Sequence, residues 1–165
     1  MIRAVWAYHS EIVLNESLLT PAIWPELLAR LGTATVIGMI LGLGREVSAH
    51  PAGIRTHAII ALSAALMTVS AILLSAQLDP AGQRMDVIRV FEGMATAAGI
   101  LAAGLIIFKA GDVRNLTTAA HVWLTAVIGI ACGAGQYVLA GIATALALLV
   151  MIVVKWIEKA IPHKD

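Results

Sequence analysis

The chain has 165 residues, 60% of them hydrophobic and 13% charged, with a mean hydropathy of +0.91 and a net charge of +1. Soluble domains carry about 45–50% apolar and about 25% charged residues, so a water-soluble globule is excluded, as are a disordered chain, a collagen-like repeat and a disulfide scaffold. The near-neutral charge gives no field for nucleic acid, and the single cysteine, Cys132, reads as a small packed hydrophobe.

Residues 1–22 mix Trp6, Leu14 and Leu19 with Arg3, Glu11 and Glu16. They are too polar to span a bilayer and read as an N-terminal interfacial segment. No cleavable signal is expected there. Pro21 and Pro25 mark the start of the first span, where proline is tolerated. Asp, Glu, Lys and Arg are absent from Leu31–Gly44, Thr56–Leu78, Gly93–Phe108 and Asn115–Val154. Gly133-Ala-Gly-Gln-Tyr137 breaks the last run. A span needs about 20 apolar residues, which predicts five membrane helices over 24–44, 56–77, 87–108, 117–133 and 137–157. The fold class is an all-α integral membrane bundle occupying residues 23–157, with 158–165 as a short cytoplasmic tail.

With the N-terminus outside, the inner loops hold Arg45, Arg55, Lys109, Arg114, Lys155, Lys159 and Lys164. The outer side holds Arg3, Arg30, Arg84 and Arg89. The positive-inside rule then favours N-out and C-in.

Three groups of residues carry the functional reading. Gly38 and Gly42, and again Gly129 and Gly133, form G-x-x-x-G pairs, while Gly99 and Gly104 punctuate helix 3. Small residues let helix backbones approach in lipid, either within one chain or between chains. Asp86, Arg89, Glu92 and Thr96 follow spacings of three, three and four, hence one helix face. Charges in a membrane usually face a bundle interior or a watery cavity. The plain reading is an internal ion pair that fixes helix 3. The functional reading is a proton relay, or a hydrated Mg²⁺ held by Asp86 and Glu92, whose backbones are about 9 Å apart along the axis. The third group lies at the inner face: Arg45-Glu46, Arg55-Thr56-His57, and Asn115, Thr117, Thr118 and His121. It reads as capping and loop fixation, with Thr117 or Thr118 as a cap, or as an anion or partner surface at two helix starts. No P-loop, nucleotide fingerprint, H-E-x-x-H or C-x-x-C is present, so an enzyme is not expected.

Gly42-Leu-Gly-Arg-Glu46, Pro51-Ala-Gly-Ile-Arg-Thr-His57 and Leu116-Thr-Thr-Ala-Ala120 resemble the MgtC/SapB family of bacterial inner-membrane proteins. The family pattern runs roughly G-L-E-R-E, A-G-L-R-T-H, D-x-x-R-V, F-L-G-A-G and V-R-G-L-T-T-A-A. The corresponding stretches here are Gly42–Glu46, Ala52–His57, Asp86–Val90, Ile100–Gly104 and Val113–Ala120, in the same order and at fitting spacing. This chain departs from the pattern at Gly44, at Ile100-Leu-Ala-Ala-Gly104 and at Phe91-Glu92-Gly93, where an acid stands among residues that are usually small or amide. Better-known members also carry a C-terminal cytosolic domain of ACT-like fold, so the resemblance covers the membrane domain.

The resemblance implies a role in adaptation to low magnesium and acid and in virulence-related survival. It implies a regulator of another membrane protein, such as a transport ATPase or the ATP synthase. The small-residue faces point to a homo-oligomer, and no cofactor is expected other than the Mg²⁺ that Asp86 and Glu92 could hold. The alternative is a small oligomeric Mg²⁺ or proton permease along the helix 3 stripe.

Overall fold

The computed structural model describes residues 21–47, 50–78, 86–109 and 111–160. A 3-10 turn, Pro21–Ile23, leads into α1 (Trp24–Val47). Then follow α2 (Ile54–Leu78), α3 (Val87–Ala103), a two-stranded hairpin β1 (Ile107–Lys109) and β2 (Asp112–Arg114), α4 (Leu116–Gly133) and α5 (Tyr137–Ala160). Among the described residues, the five helices fall on the regions that the charge-free runs predict, and α3 ends before its run does. Four are long and apolar enough to cross a membrane. The fifth, α3, has 17 residues and rises about 25 Å, short of the roughly 30 Å hydrocarbon core. The interfacial segment expected over 1–22 falls on residues 1–20, outside the described residues, except for the turn at its end. Of the expected tail, 158–160 continue α5 and 161–165 lie outside the described residues.

The predicted helix 87–108 is the element that differs. It stops at Ala103, where the Gly104 N–H bonds to Ile100 O and the chain tightens through Leu105 N–Ala102 O and Ile106 N–Ala103 O bonds. Ile107 and Phe108 then enter a strand, for which β-branched and aromatic residues are suited. The hairpin pairs Ile107 with Arg114 and Lys109 with Asp112, turning at Gly111 with φ 87°. A positive φ costs glycine nothing.

The helices alternate in direction. Gly42 lies on Ile54 and Gly38 on Ala58, so α1 and α2 are antiparallel. Gly129 lies on Ala61 and Gly133 on Ala65, so α2 and α4 are parallel. The core is made of small side chains: Ala34, Ala61, Ala65, Ala131, Cys132 and Ala140, with Leu41 and Ile128 filling between them. α3 packs Met94 and Ala98 against Ala64 and Ala126. α5 turns Ala140, Thr144 and Ala147 inward and leaves Leu139, Ile142, Leu146, Leu149 and Val153 exposed, as a lipid-facing helix does. The α1 C-terminus, both strands and the starts of α2 and α4 thus share one end of the bundle, the hairpin end.

Candidate functional site

At the hairpin end, Arg45 is buried in the last turn of α1, and its Nη2 donates to Thr118 Oγ1 on α4. Gly42, one turn earlier, makes this possible. A Cβ there would stand 2.6 Å from Ile54 Cα, so the helices meet backbone to backbone. Glu46 reaches the other way. Its Oε2 accepts the Ile54 N–H at 3.0 Å and caps α2. The same carboxylate lies over Gly53, where an added Cβ would come within 1.7 Å of it. His57 is fully buried, with Nδ1 2.8 Å from Gly53 O. His121, one turn beyond Thr118, lies within electrostatic reach of Arg45, His57 and His50. The His50 N–H closes the end of α1 on Arg45 O at 3.1 Å.

The nine residues predicted for this face therefore divide. Arg45, His57, Thr118 and His121 come together, and Glu46 holds the adjoining turn. Arg55 and Thr117 are exposed and Thr56 is half-buried. Neither Thr117 nor Thr118 is the helix cap expected of one of them. The cap position of α4 is Asn115, which adopts φ 65° and donates from Nδ2 to Leu105 O at 3.2 Å. Asparagine tolerates this left-handed backbone, and it occupies the place of glycine in V-R-G-L-T-T-A-A. Gly53, Ala52 and His50 also belong to this end and were not among the predicted residues.

The α3 stripe is on one face, as the spacing predicts, but that face is the outer one rather than the bundle interior. Asp86 caps α3 by accepting the Ile88 N–H at 3.0 Å. Its Oδ2 is 3.9 Å from Arg89 Nε, with both side chains exposed. Glu92 and Thr96 are exposed, and the Thr96 hydroxyl donates back to Glu92 O. Among the described residues no ion pair reaches Glu92, and no group of three or more His, Cys, Asp or Glu is placed to hold a metal.

The glycines divide in the same manner. Gly38, Gly42, Gly129 and Gly133 are consumed inside the chain, each with backbone of α2 within 2.6 Å or less of where a Cβ would stand. Gly99 has nothing within 4 Å, and Gly104 meets only carbonyls of its own helix end. At the other end of the bundle, Arg30 is a residue that the sequence assigned only to the outer side, without a partner. Its Nε pairs with Glu26 at 2.7 Å and its Nη1 donates to Gly133 O at 2.9 Å, closing α4.

A family model described as the MgtC family matches residues 31–160. Protein SapB of Bacillus subtilis is 40% identical over 123 residues, which are 73% of this chain and 53% of that protein. Protein SrpB of Synechococcus elongatus is 33% identical over 147 residues, 84% of this chain and 80% of the relative. Protein MgtC of Brucella abortus is 34% identical over 122 residues, 74% of this chain and 48% of the relative. The chain thus spans about half the length of SapB and MgtC. No solved structure matches it. Five helices among the described residues, four of spanning length, and a family match over most of the sequence lead to one conclusion: the chain belongs to the MgtC family and is a multi-pass membrane protein of that type.

Proposed function

We propose that the protein is a non-enzymatic regulator that docks the open face of α3 onto another membrane protein, under the magnesium limitation and acid stress that the family resemblance implies. The observation that supports this is the make-up of that face. Glu92 is exposed inside an apolar helix, and Gly93 beside it has no atom within 4 Å of where a Cβ would stand. A carboxylate facing lipid is costly. A partner helix with a donor at the same depth relieves that cost, and Gly93 and Ala97 allow it close approach. The resemblance implies a transport ATPase or ATP synthase subunit as the partner, and a second copy of the chain is the homo-oligomeric version. Gly93→Leu fills this face without entering the bundle. The expected result is a folded protein whose partner recovery falls about tenfold, the equivalent of about 1.4 kcal/mol. Undiminished recovery contradicts the proposal.

The same exposed acid supports a second reading, an oligomeric Mg²⁺ or proton permease in which Asp86 and Glu92 of neighbouring copies line the contact. Liposome flux separates the two. Flux lost in Glu92→Gln makes the protein a permease, and tight liposomes containing folded protein leave regulation. The hairpin end carries Arg45, Arg55, Lys109, Arg114 and Lys155, against Arg30 and Arg89 at the other end among the described residues. This supports placing the hairpin end in the cytoplasm of a bacterium, with the N-terminus outside the inner membrane.

A further inference from the structure

The buried cluster at the hairpin end plays no part in docking through α3, and its charge is not balanced. Arg45 is 6% exposed and His57 0%. A guanidinium stays protonated in proteins, and a buried charge is tolerated only when paired. Among the described residues Arg45 has one side-chain bond, to the neutral Thr118 hydroxyl, and no ion pair. Its neighbour Glu46 is turned to the Ile54 N–H and the Gly53 surface.

Among the described residues, Arg45 Nε, His57 Nε2 and His121 Nδ1 are buried and without a hydrogen-bond partner. His50, His57 and His121 are the titratable side chains grouped with Arg45, and they bring no negative charge. The N-terminus of α4 adds its positive dipole end, with no side chain capping it at Asn115, whereas that of α2 is already taken by the Glu46 carboxylate. A bound cation is disfavoured by this charge, and the described residues offer it no ligand set. What Arg45 Nε lacks is an acceptor oxygen, which an anion supplies; His57, its Nδ1–H given to Gly53 O, donates from Nε2 to that anion as the imidazolium.

We propose that Arg45, His57 and His121 form a binding site for a phosphate group between the ends of α1, α2 and α4. Guanidinium forks and helix N-termini both favour phosphate oxygens. Arg45 lies two residues before the end of α1, whose 24 residues rise about 36 Å, longer than the roughly 30 Å hydrocarbon core, so a headgroup phosphate is within the reach expected of this helix end. The phosphate is therefore supplied either by a phospholipid headgroup or by the free ion.

The test uses the full chain, purified in a phosphate-free maltoside detergent. One arm follows the thermal midpoint as inorganic phosphate is added, with chloride at matched ionic strength as the comparison. The other counts phospholipid retained per chain by native mass spectrometry. A saturable rise in midpoint with phosphate identifies the free ion, and one retained phospholipid per chain identifies the headgroup. In either arm, Arg45→Gln weakens the response at least tenfold. Should Arg45→Gln not fold, His121→Gln, at a partly buried position, carries the same expectation with a smaller loss. A wild-type protein that responds in neither arm overturns the proposal. So does a response left unchanged in every variant that folds. Loss of docking in Gly93→Leu has no bearing on this result, because the two sites share no residue.

Discussion

A Cβ added at Gly38 would stand 2.6 Å from His57 O, and one at Gly129 would stand 2.5 Å from Ala61 O. Backbone cannot yield there as a flexible side chain can. Gly38→Ala and Gly129→Ala are each expected to destabilise the bundle by about 1–3 kcal/mol through overpacking. Gly99→Ala meets nothing within 4 Å and gains up to about 1 kcal/mol of helix propensity. Denaturant unfolding in detergent compares the three directly. Gly53→Ala displaces the Glu46 carboxylate and with it the cap of α2, a loss of about 0.5–2 kcal/mol that Glu46→Ala should share. The double variant should then cost little more than either single change. The G-x-x-x-G pairs were legible because their spacing is local. Which of them face a neighbour in the same chain was not, since spacing says nothing of what lies opposite. Gly53 was legible as part of the A-G-I-R-T-H stretch, but its requirement was not, because that comes from a carboxylate on another helix.

Among the elements, α4 depends on both of its ends. Arg30 holds the Gly133 carbonyl from α1, and Asn115 takes the left-handed turn that leads into the helix. Arg30→Met removes the donor from a partly buried carbonyl and is expected to cost about 1–3 kcal/mol. Hydrogen exchange should show the loss first at the C-terminal turn of α4. The existence of every helix was legible in the absence of charge. The end of α3 was not, because Gly93–Phe108 is free of charge throughout while only its first part is helical. The chain turns into the hairpin through Leu105 and Ile106, and Gly111 closes it with a positive φ. The spacing of Asp86, Arg89, Glu92 and Thr96 likewise gave their common face without its direction. The direction is set by Met94, Ala98 and Ala102, which take the opposite side of α3 into the bundle.

At the scale of the whole molecule, the antiparallel course of α1 and α2 and the parallel course of α2 and α4 bring residues distant in sequence to one end. Arg45, His57 and His121 meet there because tight glycine contacts fix the helices around them. The membrane orientation is tested with single cysteines, since the native Cys132 is buried. Phe108→Cys in the hairpin is expected to react with a membrane-impermeant thiol reagent only after the cytoplasmic side is opened, and Gln136→Cys in intact spheroplasts. The reverse pattern inverts the topology. The central claim is that the open face of α3 meets protein rather than lipid. Its most direct test is in-membrane photo-crosslinking from position 93, with position 146 on the lipid-facing side of α5 as the comparison. A discrete protein adduct is expected from position 93, abolished by Glu92→Leu, and none from position 146. Equal labelling from both positions, or lipid adducts alone from position 93, would contradict it.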